Sequence, residues 1–546
     1  MESLVGITEF MTHGEFIGGI LKHRRCDFIV NEIDLNGNVI EFNENQEEIS
    51  DLQQPTISNS GLSDESINGL TSALGEENCE KIKNLVDEIN AGNPDAILEL
   101  ECDNNKESRT RIHQAIKKFA SGLGTSTDLA TNKIKVYNGE LTNNPKKRKK
   151  FGIDARKLVK PPADFIEFTL WKENIETMGA IKQIARMIGT KDKYLGIAGN
   201  KDKRGITTQR ATVFCNLLPV LKTTDFGENI KIGNFKYTDR QLKLGDLKGN
   251  QFTIVIKNID SSIPSEVLSS RLEELSRIGF VNYFGLQRFG KSAKNPTHII
   301  GLAMIKCDHR KAVDMILGAR DCKDPEEYKA RETWEQTHNV EETLNLFPKH
   351  CYMERNILMG MKKAGGNETF LNGIMSLPRN SRTLYGHAYQ SYIWNKAVSY
   401  RLTLSRSPIP GDLILIREGQ LKVLEEADLQ NYSINDIVLP LPGAKIEFPK
   451  NEMAEFYQKL YDEDQVTINT YTEIYKEMAL SGDYRKIVSK PGNFEWSEIY
   501  FPDLDTNEPS TGPIRSLRIK FTLPPSSYAT MCLREIMGNN EYLSNE

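Results

Sequence analysis

The stretch from residue 194 to residue 215 constrains this chain more than any other. The apolar run 194–198 predicts a short strand, and 206–215, rich in β-branched residues, predicts the next. Between them lies a polar turn with one carboxylate, Asp202, flanked by Lys201, Lys203 and Arg204 and bracketed by Gly199 and Gly205. Two glycines let the backbone turn sharply and approach another molecule closely. Cations beside a carboxylate favour its charged form. The turn therefore offers a nucleophile-capable oxygen in a surface that attracts phosphate. A solvated hairpin loop can carry the same residues, so the rest of the chain has to decide. A P-loop is excluded, because Lys201 is followed by Asp202 where GxxxxGK[ST] needs a hydroxyl.

Upstream, residues 18–33 form a strand-like stretch containing Lys22 and Asp27-Phe28-Ile29-Val30-Asn31-Glu32. Asn36-Gly37 is a hairpin signal, with 39–42 as the return strand. Residues 43–107 change character: they are acidic and turn-rich, and are expected to form a largely mobile insertion with short helices near 78–90 and 93–101. Residues 108–119 predict a helix. Pro145-Lys-Lys-Arg-Lys-Lys150 is a basic run that reads as a nuclear localisation signal, a phosphate-contacting loop or a solvated loop. Residues 165–171 predict a strand, Asn174 an N-cap, and Met178, Ile181, Ile184, Ala185 and Ile188 a helical core stripe.

Further on, Gly245 and Gly249 lie in a lysine-bearing loop that leads past Asn250 into a strand at 252–257. A helix follows at 262–278, with Val267, Leu268, Leu272, Leu275 and Ile278 expected inward. The next unusual stretch is Val281-Asn-Tyr-Phe-Gly-Leu-Gln-Arg-Phe-Gly290. Rings such as Phe284 can stack on an unstacked base, and amides such as Asn282 and Gln287 can pair with its edge. Arg288 can meet a phosphate or the active-site carboxylate. The rings alone also suit a core segment; amides and an arginine among them suit it less well. Residues 308–480 predict a separate mixed domain, with helices at 310–319 and 384–400. Its polar face, Arg379, Arg382, Tyr389, Gln390 and Asn395, could touch RNA.

Composition sets limits. The 546 residues allow a substantial core and several domains. No apolar run reaches about 18 residues and no signal peptide is recognisable, so no membrane partner is expected. The eight cysteines form no C-x-x-C pair, which predicts neither disulfides nor a zinc site and favours a reducing compartment. The net charge of -5 says little, because the acidic insertion hides basic stretches in the total.

Several ordered motifs in this chain resemble those of the TruD family of RNA pseudouridine synthases, in its eukaryotic branch. Gly199-Asn-Lys-Asp-Lys-Arg-Gly205 is similar to the family's active-site motif, and Lys22 with Asp27 to Glu32 to its N-terminal motif. Leu244 to Phe252, Asn282 to Gly290, Gln390 to Asn395, and Leu523 to Thr530 match further segments. The Arg111-Ile-His-Gln-Ala-Ile116 segment and Leu439-Pro-Leu-Pro-Gly443 look like the eukaryotic members, and His113 is read as structural.

The resemblance implies an α+β fold: a pseudouridine-synthase catalytic domain with a mixed, largely antiparallel sheet, and an inserted α+β TruD-specific domain. The expected divisions are 1–42, 108–307 and 481–546 for the catalytic domain, 43–107 for the acidic insertion and 308–480 for the inserted domain. It implies Asp202 as catalytic nucleophile or base, with Lys22 as its charge partner. Substrate contacts are expected at Phe28, Lys201, Arg204, Asn250, Asn282, Phe284, Gln287 and Arg288, with Phe284 as a stacking platform. The implied substrate is uridine in tRNA, notably at position 13, and in small nuclear RNA and mRNA of U-N-U-A-R context. No metal, nucleotide or other cofactor is expected, because the reaction is an isomerisation. A monomer in nucleus and cytoplasm is the expected state. A non-catalytic RNA binder on the same fold would not need the Asp202 and Lys22 pair, and a methyltransferase would need a cofactor loop that the sequence lacks.

Overall fold

The computed structural model describes residues 2–43, 62–138 and 163–538, apart from 94, 103–105, 121–122, 128–130, 132, 291–293, 323, 417–418 and 474–479. The basic run at 145–150 and much of the acidic stretch after residue 43 lie outside the described residues.

A large mixed sheet organises the catalytic part. Its path runs through Gly492–Phe501, Ile514–Leu523, Gly249–Lys257, Phe28–Ile33, Ile206–Phe214, Phe165–Glu173 and Ile230–Thr238. Neighbours along this path pair antiparallel except at one junction: Phe28–Ile33 lies parallel to Ile206–Phe214, with Ile29 opposite Ile206 and Asn31 opposite Thr208. The sheet is thus mixed and largely antiparallel, as expected. The C-terminal strand Ile514–Leu523 completes it beside Gly249–Lys257, although more than two hundred residues separate them.

Alternation explains the burial. Ile166, Phe168 and Leu170 point to one face and pack against Ile181, Ile184 and Ala185 of the helix Thr177–Met187. A second core packs Phe28, Val30, Ile254 and Ile519 against Leu268, Leu272 and Leu275 of the helix Ser265–Ile278, and continues into the helical lobe. Val267, expected inward, is 41% exposed, because it falls off the 268/272/275 stripe. The helix Thr177–Met187 is capped at Glu176, not Asn174. Asn174 takes a left-handed conformation (φ 54°) that ends the preceding strand.

Residues 97–100 form a strand where a helix was expected. Ile97–Leu100 pairs with Ile134–Asn138, which pairs in turn with Leu123–Thr127. This three-stranded sheet packs with the helices Asp64–Leu74, Glu76–Asn90 and Lys106–Phe119 around a core of Ile82, Leu85, Ile116, Ile134 and Val136. The unit therefore continues past residue 107, where its end was expected: the Lys106–Phe119 helix belongs to it. His113 sits between Thr125 and Thr127, 2.8 and 3.1 Å from their hydroxyls. Beyond the Asn36-Gly37 turn, the return strand is reduced to a single bridge between Ile33 and Val39. Asp34 Oδ1 accepts from Asn36 N and Asn38 N there (2.8 Å each), which spends the turn's donors on a side chain.

The helical lobe is built around Arg379–Leu404, which crosses Thr297–Ile305 at Gly301, where a Cβ would run into the Tyr385 carbonyl. A four-stranded sheet joins it, ordered Leu421–Val423, Leu413–Leu415, Ile437–Leu441, Asp483–Lys486. Of the polar face expected to touch RNA, Arg379 is exposed and the other four residues are turned inward. Arg382, Tyr389, Gln390 and Asn395 are buried; Arg382 donates to the Met375 and Leu377 carbonyls and Tyr389 to Asp464. These groups bond to backbone and side-chain partners within the fold, which is how polar groups survive burial.

Candidate active site at the head of two parallel strands

The parallel junction has a direct consequence. Lys22 precedes one strand and Asp202 the other, so both side chains emerge at the same end of adjacent strands. Gly205 makes the entry possible: its φ is 144°, and a Cβ there would strike the Phe28 carbonyl. Lys22 itself is left-handed, with φ 57°. An asparagine or glycine would adopt that conformation more cheaply, so a lysine there is held by what it reaches. Its Nζ lies 3.1 Å from Asp202 Oδ2 and 4.0 Å from the centre of the Phe28 ring. The lysine side chain is 5% exposed and the aspartate side chain 31%, so the carboxylate faces outward over a buried counter-charge.

The turn around Asp202 is held from within. Lys172 Nζ donates to the Asp202 carbonyl and to the Ile175 carbonyl, both at 2.8 Å. Burial pushes the Lys172 ammonium down to about 8, and the charge of Asp202 acts against that shift. Thr177 Oγ1 accepts from Lys201 N at 2.9 Å and faces Gln209 Oε1 at 3.2 Å, while Gln209 Nε2 donates to the Gly199 carbonyl at 3.0 Å. One turn is thus fixed by a strand, a helix start and the following strand.

Lys201 departs from expectation. It points inward, its Nζ 3.1 Å from Glu32 Oε2, and that carboxylate also pairs with Arg210 Nε at 2.9 Å. Glu32 is fully buried, so Lys201 neutralises an internal charge and presents none to a phosphate. Phe28 is likewise 1% exposed; its ring lies against Lys22. Arg204 is half-buried beside Asp202. Asn250 sits opposite Glu32 and Leu523 at the start of its strand, its Oδ1 buried without a hydrogen bond.

The second expected cluster forms a separate wall. Asn282 and Phe284 line a cavity of about 580 Å³ between the catalytic part and the helical lobe. Asn282 Nδ2 donates to the Lys486 carbonyl at 3.0 Å, and its Oδ1 accepts from Arg485 Nη2 at 2.8 Å and Ser527 Oγ at 3.1 Å. Asn395 clamps the Phe284 backbone, accepting from its N (2.9 Å) and donating to its O (3.0 Å). Phe284 is no open platform: it is 7% exposed, Trp394 meets it edge-on, and the Arg485 guanidinium lies 4.1 Å from its centre. Gln287 is exposed, and Arg288 is half-buried with Nη2 3.3 Å from the Tyr528 hydroxyl. Among the described residues neither Asn282 nor Phe284 bonds to or stacks on Asp202 or Lys22.

Sequence reasoning missed Lys172, although a signal existed: it continues the inward alternation Ile166, Phe168, Leu170, where a lysine is out of place. It also missed Arg485, which no motif marks. Among the described residues, Glu327, His350 and Cys351 bring possible ligand atoms within 4.8 Å. Glu327 already pairs with Arg320 and Arg331 at 2.7 and 2.8 Å, and two guanidinium charges oppose a metal cation there.

The family described as tRNA pseudouridine synthase D (TruD) matches residues 146–536. The pseudouridylate synthase 7 homolog of Homo sapiens is 33% identical over 571 residues, covering 100% of this chain and 82% of the relative. The multisubstrate pseudouridine synthase 7 of Schizosaccharomyces pombe is 30% identical, covering 98% of this chain and 90% of the relative. In architecture, a TruD crystal structure from Methanosarcina mazei superposes with a TM-score of 0.59 at 20% identity, covering 98% of this chain and 97% of its own.

Proposed function

Because the chain belongs to the TruD family and is an RNA pseudouridine synthase, an isomerase, we propose that Asp202 carries the reaction with Lys22 as its charge partner. The observation that carries this reading is the 3.1 Å pair at the head of the two parallel strands, with the carboxylate outward and the ammonium buried.

The reaction breaks the N1–C1′ bond of a uridine, turns the uracil and joins C5 to C1′; the proton leaves C5 and N1 acquires one, so nothing is imported. A carboxylate can start this by taking the C2′ proton, which gives a glycal, or by attacking C1′ directly. Lys22 compensates the charge of Asp202 in either route, and Lys172 and Thr177 keep the turn in place while the carboxylate changes partners. The uridine must first leave its stack, at a cost of a few kcal/mol. Asn282, Phe284, Gln287 and Arg288 are proposed to receive the RNA around it, with Arg204 and Asn250 contributing from the catalytic part.

The substrates we propose are tRNA uridines, position 13 among them, and mRNA or small nuclear RNA uridines in a U-N-U-A-R context. A monomeric enzyme acting in nucleus and cytoplasm, with 145–150 as import signal, completes the proposal. The test is pseudouridine mapping of tRNA and mRNA from cells carrying wild-type or Asp202→Asn protein, with RNA binding measured on the purified pair. Marks that vanish while binding stays within about twofold support the assignment. Binding lost together with the marks assigns Asp202 a structural role instead.

A further inference from the structure

The cavity behind Phe284 is electrostatically unfinished. Arg485 is 9% exposed. Its Nε and Nη2 donate to the Asn282 carbonyl at 3.0 and 2.8 Å, and Nη2 also reaches Asn282 Oδ1 at 2.8 Å. Nη1 makes no hydrogen bond to any described residue, and no carboxylate among them pairs with this guanidinium within 4 Å. A second arginine converges on the same ring: Arg288 lies 5.7 Å from the Phe284 centre, and its Nε is buried without a partner. Burial pushes Arg485 down to about 10, and Arg288 pushes the same way. Lys486 and Lys490 line the same cavity. The carboxylate in its lining, Asp483, is exposed and accepts from the Tyr484 backbone. Buried charges are ordinarily paired. Here Arg485 has a guanidinium edge to spare in a cavity that Lys486 and Lys490 also line, and Arg288 approaches the same Phe284 ring.

The geometry points to a phosphate site: Arg485, with Arg288 and Lys490, binds one phosphodiester of the RNA substrate at the seam between the catalytic part and the helical lobe. The inference rests on the reading that this cavity receives RNA. Arg485 comes from the strand Asp483–Lys486 of the lobe, and Arg288 from the catalytic part. A phosphate held by both fixes the nucleic acid across the seam and supplies the counter-charge that the protein omits. Guanidinium groups suit this task because their forked donors match phosphate oxygens.

The test uses the full chain carrying Asp202→Asn, so that binding is read without turnover, and a tRNA transcript with uridine at position 13. The slope of log Kd against log salt is compared with and without Lys490→Gln, an exposed position whose replacement leaves the fold intact, and with the charge-removing Arg485→Gln. Each variant is expected to reduce the slope by about 0.7 to 0.9, the increment for one phosphate contact. In a synthetic U-N-U-A-R RNA, replacing single linkages by uncharged methylphosphonate should weaken the parent about tenfold at one linkage, and the Lys490→Gln protein less than threefold there. Unchanged slopes in both variants overturn the site, as does a scan in which no linkage separates parent from variant. The role of Asp202 is read separately, by product formation in the otherwise unaltered enzyme, so either assignment can fail while the other stands.

Discussion

The buried ammonium of Lys172 donates to the main-chain carbonyl of Asp202 at 2.8 Å, thirty residues along the chain. The group that holds the turn is therefore itself titratable near physiological pH, because burial has brought it down to about 8. Above that value it becomes neutral, keeps fewer donors and no longer attracts the carbonyl by charge. Product formation should fall as pH rises through about 8, and Lys172→Arg, charged throughout, should remove that decline even if its turnover is lower. Stability should move the opposite way. The folded value lies below the ordinary 10.5, so between about 8 and 10.5 the unfolded chain binds the extra proton, and this group's contribution to stability rises with pH. Parallel pH profiles of turnover and of urea midpoint check the two signs. Turnover that declines identically in Lys172→Arg would remove Lys172 from the account.

Lys22→Met keeps a side chain against the Phe28 ring but removes the ammonium 3.1 Å from Asp202 Oδ2. Turnover is expected to fall about a hundredfold, in the range found when a positioned proton-transfer or charge partner is removed, with RNA affinity within about twofold. Lys22→Arg should not restore it. A planar fork does not replace a compact ammonium placed between a ring face and one carboxylate oxygen. Single-turnover kinetics at saturating RNA read this directly.

Glu32 is the internal anion of the site, shared by Lys201 and Arg210. Glu32→Ala strands the buried Lys201 ammonium and leaves Arg210 with only the more distant Glu167 carboxylate at 3.7 Å, and breaking such a buried pair typically costs about 3–5 kcal/mol. Glu32→Gln keeps the shape and some hydrogen bonds, and should lose less. Denaturant titrations of the three proteins test the order, wild type above Glu32→Gln above Glu32→Ala. Equal midpoints would mean that Lys201 finds another partner.

The strand, turn and strand around Asp202 were legible in the sequence because alternation and paired glycines are local signals. So was the meeting of Lys22 with Asp202, though only through motif resemblance: the parallel register that joins them is a long-range fact. The pattern failed where polar residues are buried with partners. Asn395 and Gln390 look like surface residues beside the apolar stripe of their helix, yet Asn395 spends its amide on the Phe284 backbone. Lys201 looks like a phosphate contact until Glu32 is seen beneath it. Residues 97–100 carry no turn or cap that separates a strand from a helix; Ile134–Asn138 decides the matter from outside.

Phe284 joins two roles that one substitution can separate. Its ring packs against Trp394 edge-on at 5.6 Å and supports the Arg485 guanidinium at 4.1 Å, so Phe284→Ala should cost about 3–5 kcal/mol of stability as well as activity. Phe284→Leu keeps most of the volume and should lose less than about 2 kcal/mol, but it offers no π face to a base or to Arg485. If the ring itself matters, Phe284→Leu will remain folded, shown by a melting temperature near wild type, and still lose at least tenfold in product formation. If the leucine enzyme turns over like wild type, Phe284 is a packing residue alone, and the Arg485 guanidinium above it keeps its place without a ring beneath.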